Sequence, residues 1–165
     1  MVRIGVLADT HLAGDGAACR SLAKLVERHF AAVDLILHAG DIVDPGLLAT
    51  FAPIPVYAVR GNMDPATVDT PLRRVITVAG LRIGLIHGWG APDGIVERVV
   101  GEFVDTPLDV LVFGHTHEPC CRWQGGLLLF NPGSATDRRR MPWASVGILE
   151  IEEGSVRGRI VQLEG

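Results

Sequence analysis

Cysteine is scarce: Cys19, Cys120 and Cys121 are the only three in 165 residues. An odd set with one adjacent pair has neither the spacing of a zinc knot nor that of a disulfide framework, which points to a reducing compartment. Long apolar runs are missing as well. No stretch approaches the roughly 18 residues of a membrane span. The apolar start, residues 1–8, meets Asp9 without the basic flank and small-residue cleavage site of a secretory leader. A soluble, cytoplasmic protein with no membrane partner is expected. There is no excess of positive charge either: fifteen Lys and Arg against nineteen Asp and Glu leave a formal charge of -4. An extended nucleic-acid groove, which needs a basic face, is therefore not expected. Internal repeats, low-complexity tracts and linkers are absent too.

What is there suits one domain over residues 1–165. Hydrophobic residues make up 48% of the chain and mean hydropathy is +0.30, enough to bury a sizeable core. Residues 2–8 form a short, near-continuous apolar run that stops at a polar cluster, as a strand buried on both faces does. Leu22, Leu25, Val26 and Phe30 recur at helical spacing and predict an amphipathic helix over 17–30. A second strand is predicted at 34–38. A short helix follows, opening at Pro45 behind an Asp44 N-cap and ending before Pro53, and a third strand runs over 55–59. Residues 73–78 and 81–87 flank Ala79-Gly80 and read as a hairpin, a second helix is expected over 92–104, and a buried strand over 109–113. Four further β segments, at 120–123, 127–130, 145–151 and 156–163, complete an α/β pattern with parallel and antiparallel parts, which suggests two packed sheets covered by helices.

Polar residues cluster where the buried strands end: Asp9 and His11, Asp41, Asn62, His87, and His115 and His117. Strand carboxyl ends are where loops converge into sites, so all seven can share one pocket. Two carboxylates, one amide oxygen and four imidazoles, with no thiolate, suit Mn, Fe, Co, Ni or Zn. Seven donors exceed what one ion uses with room left for water and substrate. Two ions sharing a carboxylate would use them all, and such a pair is suited to in-line phosphoryl displacement. His-x-His alone is weak, since roughly 0.2 such pairs are expected by chance. The weight comes from the ordered set: Asp9-x-His11, Gly40-Asp41, Gly61-Asn62-x-Asp64, His87-Gly88 and Gly114-His115-x-His117.

These motifs, from LADTH through LHAGDIVD, VRGNMD, LIHG and FGHTH to FNPGS, resemble those of the calcineurin-like metallophosphoesterase superfamily, in particular its small single-domain phosphodiesterase branch. The resemblance covers roughly residues 2–135. It implies a four-layer α/β/β/α sandwich of two mixed sheets flanked by helices. It also implies two divalent ions, Mn first, with Ni, Fe, Co or Zn as the others. Asp9, His11 and His117 would bind the first ion and Asn62, His87 and His115 the second, with Asp41 bridging. Asp41, Asn62 and His115 would be catalytic as well as ligating, and a hydroxide held between the ions would attack phosphorus. Many members carry a histidine after the Gly-Asn pair as proton donor to the leaving group. Here that position is Met63, and a thioether donates no proton.

Diesters with acidic leaving groups are thus the expected substrates, as small phosphoesters. Arg60 and Asp64 are candidate substrate contacts, and Asp64 could instead support a ligand. His38, inside the second strand, reads as a hydrogen-bonded core histidine. The run Arg138-Arg139-Arg140 reads first as a solvated loop and second as a phosphate anchor. The alternatives are a non-catalytic scaffold or protein-binding module on the same fold, as in a retromer subunit, and a nucleotide pyrophosphatase or phosphomonoesterase. A homo-oligomer is compatible with any of these.

Overall fold

The computed structural model describes residues 1–12, 16–65 and 70–164. In chain order the elements are β1 (Val2–Leu7), α1 (Ala17–His29), β2 (Leu35–His38), a 3₁₀ helix (Pro45–Phe51), β3 (Val56–Ala58), β4 (Arg73–Val78) and β5 (Leu81–Ile86). They continue with α2 (Ile95–Gly101), β6 (Val110–Val112), β7 (Cys120–Gln124), β8 (Leu127–Asn131), β9 (Ser145–Glu152) and β10 (Ser155–Gln162). They build two mixed five-stranded sheets, ordered β10-β9-β1-β2-β3 and β4-β5-β6-β8-β7. The expected α/β/β/α sandwich is what forms.

The apolar runs explain the layering. Side chains alternate along a strand, so a run with no polar alternate places apolar groups on both faces. In β1 and just after it, Ile4, Val6 and Ala8 enter the core between the sheets with Leu37, Leu85, Val112, Phe130 and Leu149. Leu7 points the other way, into the layer formed with Leu22, Val26 and Phe30 of α1 and its C-terminus. Gly5 makes that layer close: a Cβ there would lie 2.7 Å from the Phe30 ring. On the far side, Ile95, Val99 and Phe103 pack on Ile86, Leu111, Phe113 and Leu129. Burying aromatic rings of this kind is worth about 3–5 kcal/mol each against truncation to alanine.

Two elements differ from the sequence reading. The helix expected over 92–104 is regular only over Ile95–Gly101. Gly94 before it is left-handed, at φ 80°, and the chain after it tightens into i to i+3 bonds, with Glu102 N donating to Val99 O and Phe103 N to Val100 O. The element after Pro45 is a 3₁₀ helix: Asp44 caps it by accepting from Gly46 N at 2.9 Å, and Leu47 N bonds Asp44 O.

This topology positions the site. β1, β2 and β3 run parallel, with Leu7 beside His38 and His38 beside Ala58, and β5 and β6 run parallel in the other sheet. The loops after these strands are stitched together by Asp9 N to Gly40 O at 2.9 Å, His11 N to Asp41 O at 3.0 Å and Gly114 N to His87 O at 3.0 Å.

Candidate metal centre

The backbone announces the site before the side chains do. Asp9, His11, Asp41, His115 and His117 all have positive φ, between 48° and 74°. Residues with a Cβ rarely adopt that conformation, and it persists only where the surroundings impose it. Five of the seven sequence-derived donors are thus held in costly conformations, and Val43, two residues after Asp41, is a sixth case at φ 73°.

Two sets of ligand atoms converge. Asp9, His11 and His117 form one, and Asp9, Asp41 and His87 the other, with the atoms of each set within 4.8 Å of one another. Asp9, Asp41, His87 and His117 are buried, and His11 is half-buried. Asp41 Oδ2 lies 3.5 Å from His11 Nε2 and 3.3 Å from His87 Nε2, between the two sets. Asp9 Oδ1 is as central, at 3.9, 3.7 and 3.6 Å from the Nε2 atoms of His11, His87 and His117.

Hydrogen bonding fixes which lone pairs face inward. His87 Nδ1 donates to the Ala39 carbonyl at 2.8 Å, which turns Nε2 toward the centre. That Nε2 lies 3.0 Å from Asn62 Oδ1 and 3.3 Å from Asp41 Oδ2. His117 Nδ1 donates to the Asp137 carbonyl, and its Nε2 meets His11 Nε2 at 3.2 Å. His115 Nε2 donates to Gly90 O at 2.8 Å, leaving Nδ1 for a ligand, and its ring lies edge-on to His87 at 5.2 Å. Asp9 Oδ1 is buried with no hydrogen-bond donor, whereas Oδ2 accepts from His115 N at 2.9 Å. A buried orphan acceptor such as Asp9 Oδ1 costs about 1–3 kcal/mol. A divalent cation satisfies it, and mixed N/O donors suit Mn, Fe, Co, Ni or Zn.

In the metal-free site the charged groups act on one another instead. Burial pushes the Asp9 carboxyl up to about 7, and the Asp41 charge adds to this. Burial also pulls at His87, but the Asp41 hydrogen bond and the charges of Asp9 and Asp41 outweigh it, so His87 is raised. Asp41 moves the other way: its burial is outweighed by the His87 hydrogen bond and charge, and it stays below its ordinary value. His115 and His117 are lowered, mainly by burial, which favours the neutral, ligating form.

Asp64 turns out to brace the loops. Its Oδ2 accepts from Asp41 N at 3.0 Å and Gly61 N at 2.8 Å, and its Oδ1 from Val43 N at 2.6 Å. Both oxygens serve backbone, which places Asp64 as a brace between the Asp41 and Gly61 loops. Asn62 is exposed at the rim. Arg60 lines a cavity with Asn62 and His87. His38, wholly buried, accepts from Gly40 N at 3.1 Å through Nδ1 and meets Thr10 Oγ1 through Nε2, as a core histidine.

Several contributors carry no sequence signal. Carbonyls of Ala39, Gly90 and Asp137 orient three imidazoles, and any residue type supplies a carbonyl. The segment after Asn131-Pro132-Gly133 ties down the first ligand loop: Ser134 Oγ donates to Asp9 O at 2.7 Å and Thr136 Oγ1 to Thr10 O at 2.6 Å. Arg139, whose charge is felt at Asp9, His115 and His117, belongs to the same segment.

Comparisons with known proteins point the same way. A probable metallophosphoesterase of Methanothermobacter thermautotrophicus is 37% identical over 161 residues, 96% of this chain and 91% of that protein. Wild-type Vps29 of Entamoeba histolytica, solved with Zn2+, is 25% identical with a TM-score of 0.69, covering 98% of this chain and 99% of that one. An archaeal phosphodiesterase shares the fold at 20% identity and a TM-score of 0.70, over 97% of this chain and all of that one. The calcineurin-like phosphoesterase superfamily domain matches residues 2–154, and the chain belongs to that superfamily.

Proposed function

We propose that this protein is a phosphodiesterase that works with two divalent cations, Mn first among them, held by Asp9, His11, Asp41, Asn62, His87, His115 and His117. The observation that carries the reading is the convergence of the two sets of ligand atoms on Asp9, whose Oδ1 is buried without a hydrogen-bond donor. Cations bound there supply a deprotonated water at neutral pH and charge to neutralise phosphoryl oxygens.

The remaining roles fall to the chain. Asp41, a member of the second set whose Oδ2 also lies 3.5 Å from His11 of the first, would join the two, beside Asp9, which belongs to both. Met63 N donates to Asp41 Oδ1 at 2.8 Å, which leaves Oδ2 to face the two ligand sets. Asn62 offers its Oδ1 beside His87 and its amide N–H groups to a phosphoryl oxygen. Arg60, on the cavity that Asn62 and His87 also line, adds positive charge against the phosphate. Behind Asn62 the next side chain is Met63, 57% exposed, which donates no proton. The leaving group must therefore depart as a stable anion, which favours diesters of acidic alcohols or phenols.

The experiment is a substrate panel with the Mn-loaded protein: bis(4-nitrophenyl) phosphate, 4-nitrophenyl phosphate and a cyclic nucleotide. The aryl diester is expected to turn over fastest, and chelation to abolish it. A rate on the monoester exceeding that on the diester would replace this reading with a phosphomonoesterase. The similarity to Vps29 supports a second reading, a scaffold. That reading expects metal binding with no hydrolysis of any of the three.

A further inference from the structure

A cavity of about 380 Å3 opens beside the second ligand set, lined by Arg60, Asn62, Leu72, Ile86, His87 and Trp89 among others. Two of its residues, Asn62 and His87, belong to the metal centre, so whatever fills it is continuous with a phosphate bound there. Its volume is in the range of small-molecule sites and leaves room for a ring-sized group beyond the phosphate.

The walls are apolar where the centre is polar. All five phenylalanines are buried, yet Trp89 keeps 43% of its surface exposed and Leu72 keeps 61%. Large apolar groups displayed together at a pocket mark a binding surface.

The backbone at Trp89 is also tied down. Arg98 on α2 donates through Nε to Trp89 O at 2.8 Å, through Nη1 to Asp93 O at 3.1 Å and through Nη2 to Ala91 O. Between these, Gly90 O accepts from His115 Nε2. One guanidinium and one metal-site imidazole thus brace the loop, which a floppy surface turn would not need. A fixed backbone limits where the indole can go, which lowers the entropy lost on binding a ring. Arg73, also on the cavity, is committed to Glu102 at 3.7 Å and to the Phe103 ring, so it shapes the wall.

We propose that this cavity receives a flat aromatic substituent of the phosphoester, an aryl ring or nucleobase, stacked on the Trp89 indole. The proposal rests on the phosphoesterase reading above and adds to it the substituent class. Trp89 acts as a specificity residue, and stacking on an indole favours any planar π-face over an alkyl chain of similar size.

The test compares phenylphosphonate with methylphosphonate, which present the same anionic head and cannot be hydrolysed. Affinities are measured by calorimetry on the Mn-loaded protein, with bis(4-nitrophenyl) phosphate hydrolysis followed on the same preparation. Phenylphosphonate is expected to bind at least tenfold more tightly. Trp89→Ala is expected to bring the ratio near one, and Trp89→Phe to restore most of it. A ratio near one in the wild type overturns the proposal, as does a high ratio that survives Trp89→Ala. If the diester is hydrolysed in either of those cases, only the aromatic subsite fails. If it is not hydrolysed and neither phosphonate binds, the phosphoesterase reading fails with it.

Discussion

Replacing Asp64 with asparagine tests how the ligand loops are held. The carboxylate accepts three backbone N–H groups, from Asp41, Gly61 and Val43, at 3.0, 2.8 and 2.6 Å. Two of these residues, Asp41 and Val43, are in left-handed conformations at φ 56° and 73°, which the bonds help to hold. Asparagine keeps one acceptor oxygen and presents its NH2 to the remaining N–H. One bond is lost and two become neutral. With hydrogen bonds to charged groups worth about 1.5–3 kcal/mol and neutral ones about 1 kcal/mol, and the site half-buried, the expected loss is about 2–3 kcal/mol. Urea unfolding of the metal-free protein should show a lower midpoint with an unchanged m-value. Calorimetry should show at least tenfold weaker Mn binding, because the Asp41 loop relaxes. A variant within about 0.5 kcal/mol of wild type that binds Mn equally well would refute the bracing role.

Three further outcomes are expected. Gly61→Ala places a Cβ 2.2 Å from Asp41 Oδ1 and 2.4 Å from Asp41 N, both fixed, so metal titration should show loss of binding even if the variant folds. His38→Leu leaves Gly40 N–H and Thr10 Oγ1 without their partner and should cost about 2–3 kcal/mol in urea unfolding; a loss below about 0.5 kcal/mol would contradict it. In the metal-free protein Asp9, raised by burial to about 7, binds a proton that the unfolded chain releases near its ordinary value of about 3.9. Its contribution to stability is present below about pH 4 and is lost as pH rises through about 7. The midpoint of metal-free wild type should therefore fall relative to Asp9→Asn between pH 5 and 7.5, and parallel pH curves would count against the shift.

The donors were legible because their chemistry is written in residue type. Asp9, Asp41, His87 and His115 each follow a buried apolar run, and parallel strands bring such ends together. The sandwich was legible for a related reason: runs such as residues 2–8 lack polar alternates, which requires covering both faces of a sheet. What holds the donors was hidden, because carbonyls of Ala39, Gly90 and Asp137 look like any others. Asp64 stood out in Gly61-Asn62-x-Asp64, but only the fold shows that both its oxygens face backbone. The second helix was overestimated because Val100, Phe103 and their neighbours keep helical spacing through a stretch of i to i+3 bonds, to which apolar periodicity is blind. Trp89 carries no signal of its own, since a lone tryptophan after His87-Gly88 is as readily core as surface.

The central claim is that Asp41 joins two cation sites into one hydrolytic centre. The most direct measurement is the Mn content of wild type and Asp41→Ala after equilibrium dialysis, with bis(4-nitrophenyl) phosphate hydrolysis assayed on the same samples. Two ions per chain and hydrolysis in wild type are predicted, against at most one ion and background hydrolysis in the variant. Fewer than one ion per wild-type chain, with no hydrolysis above the variant, would contradict the account.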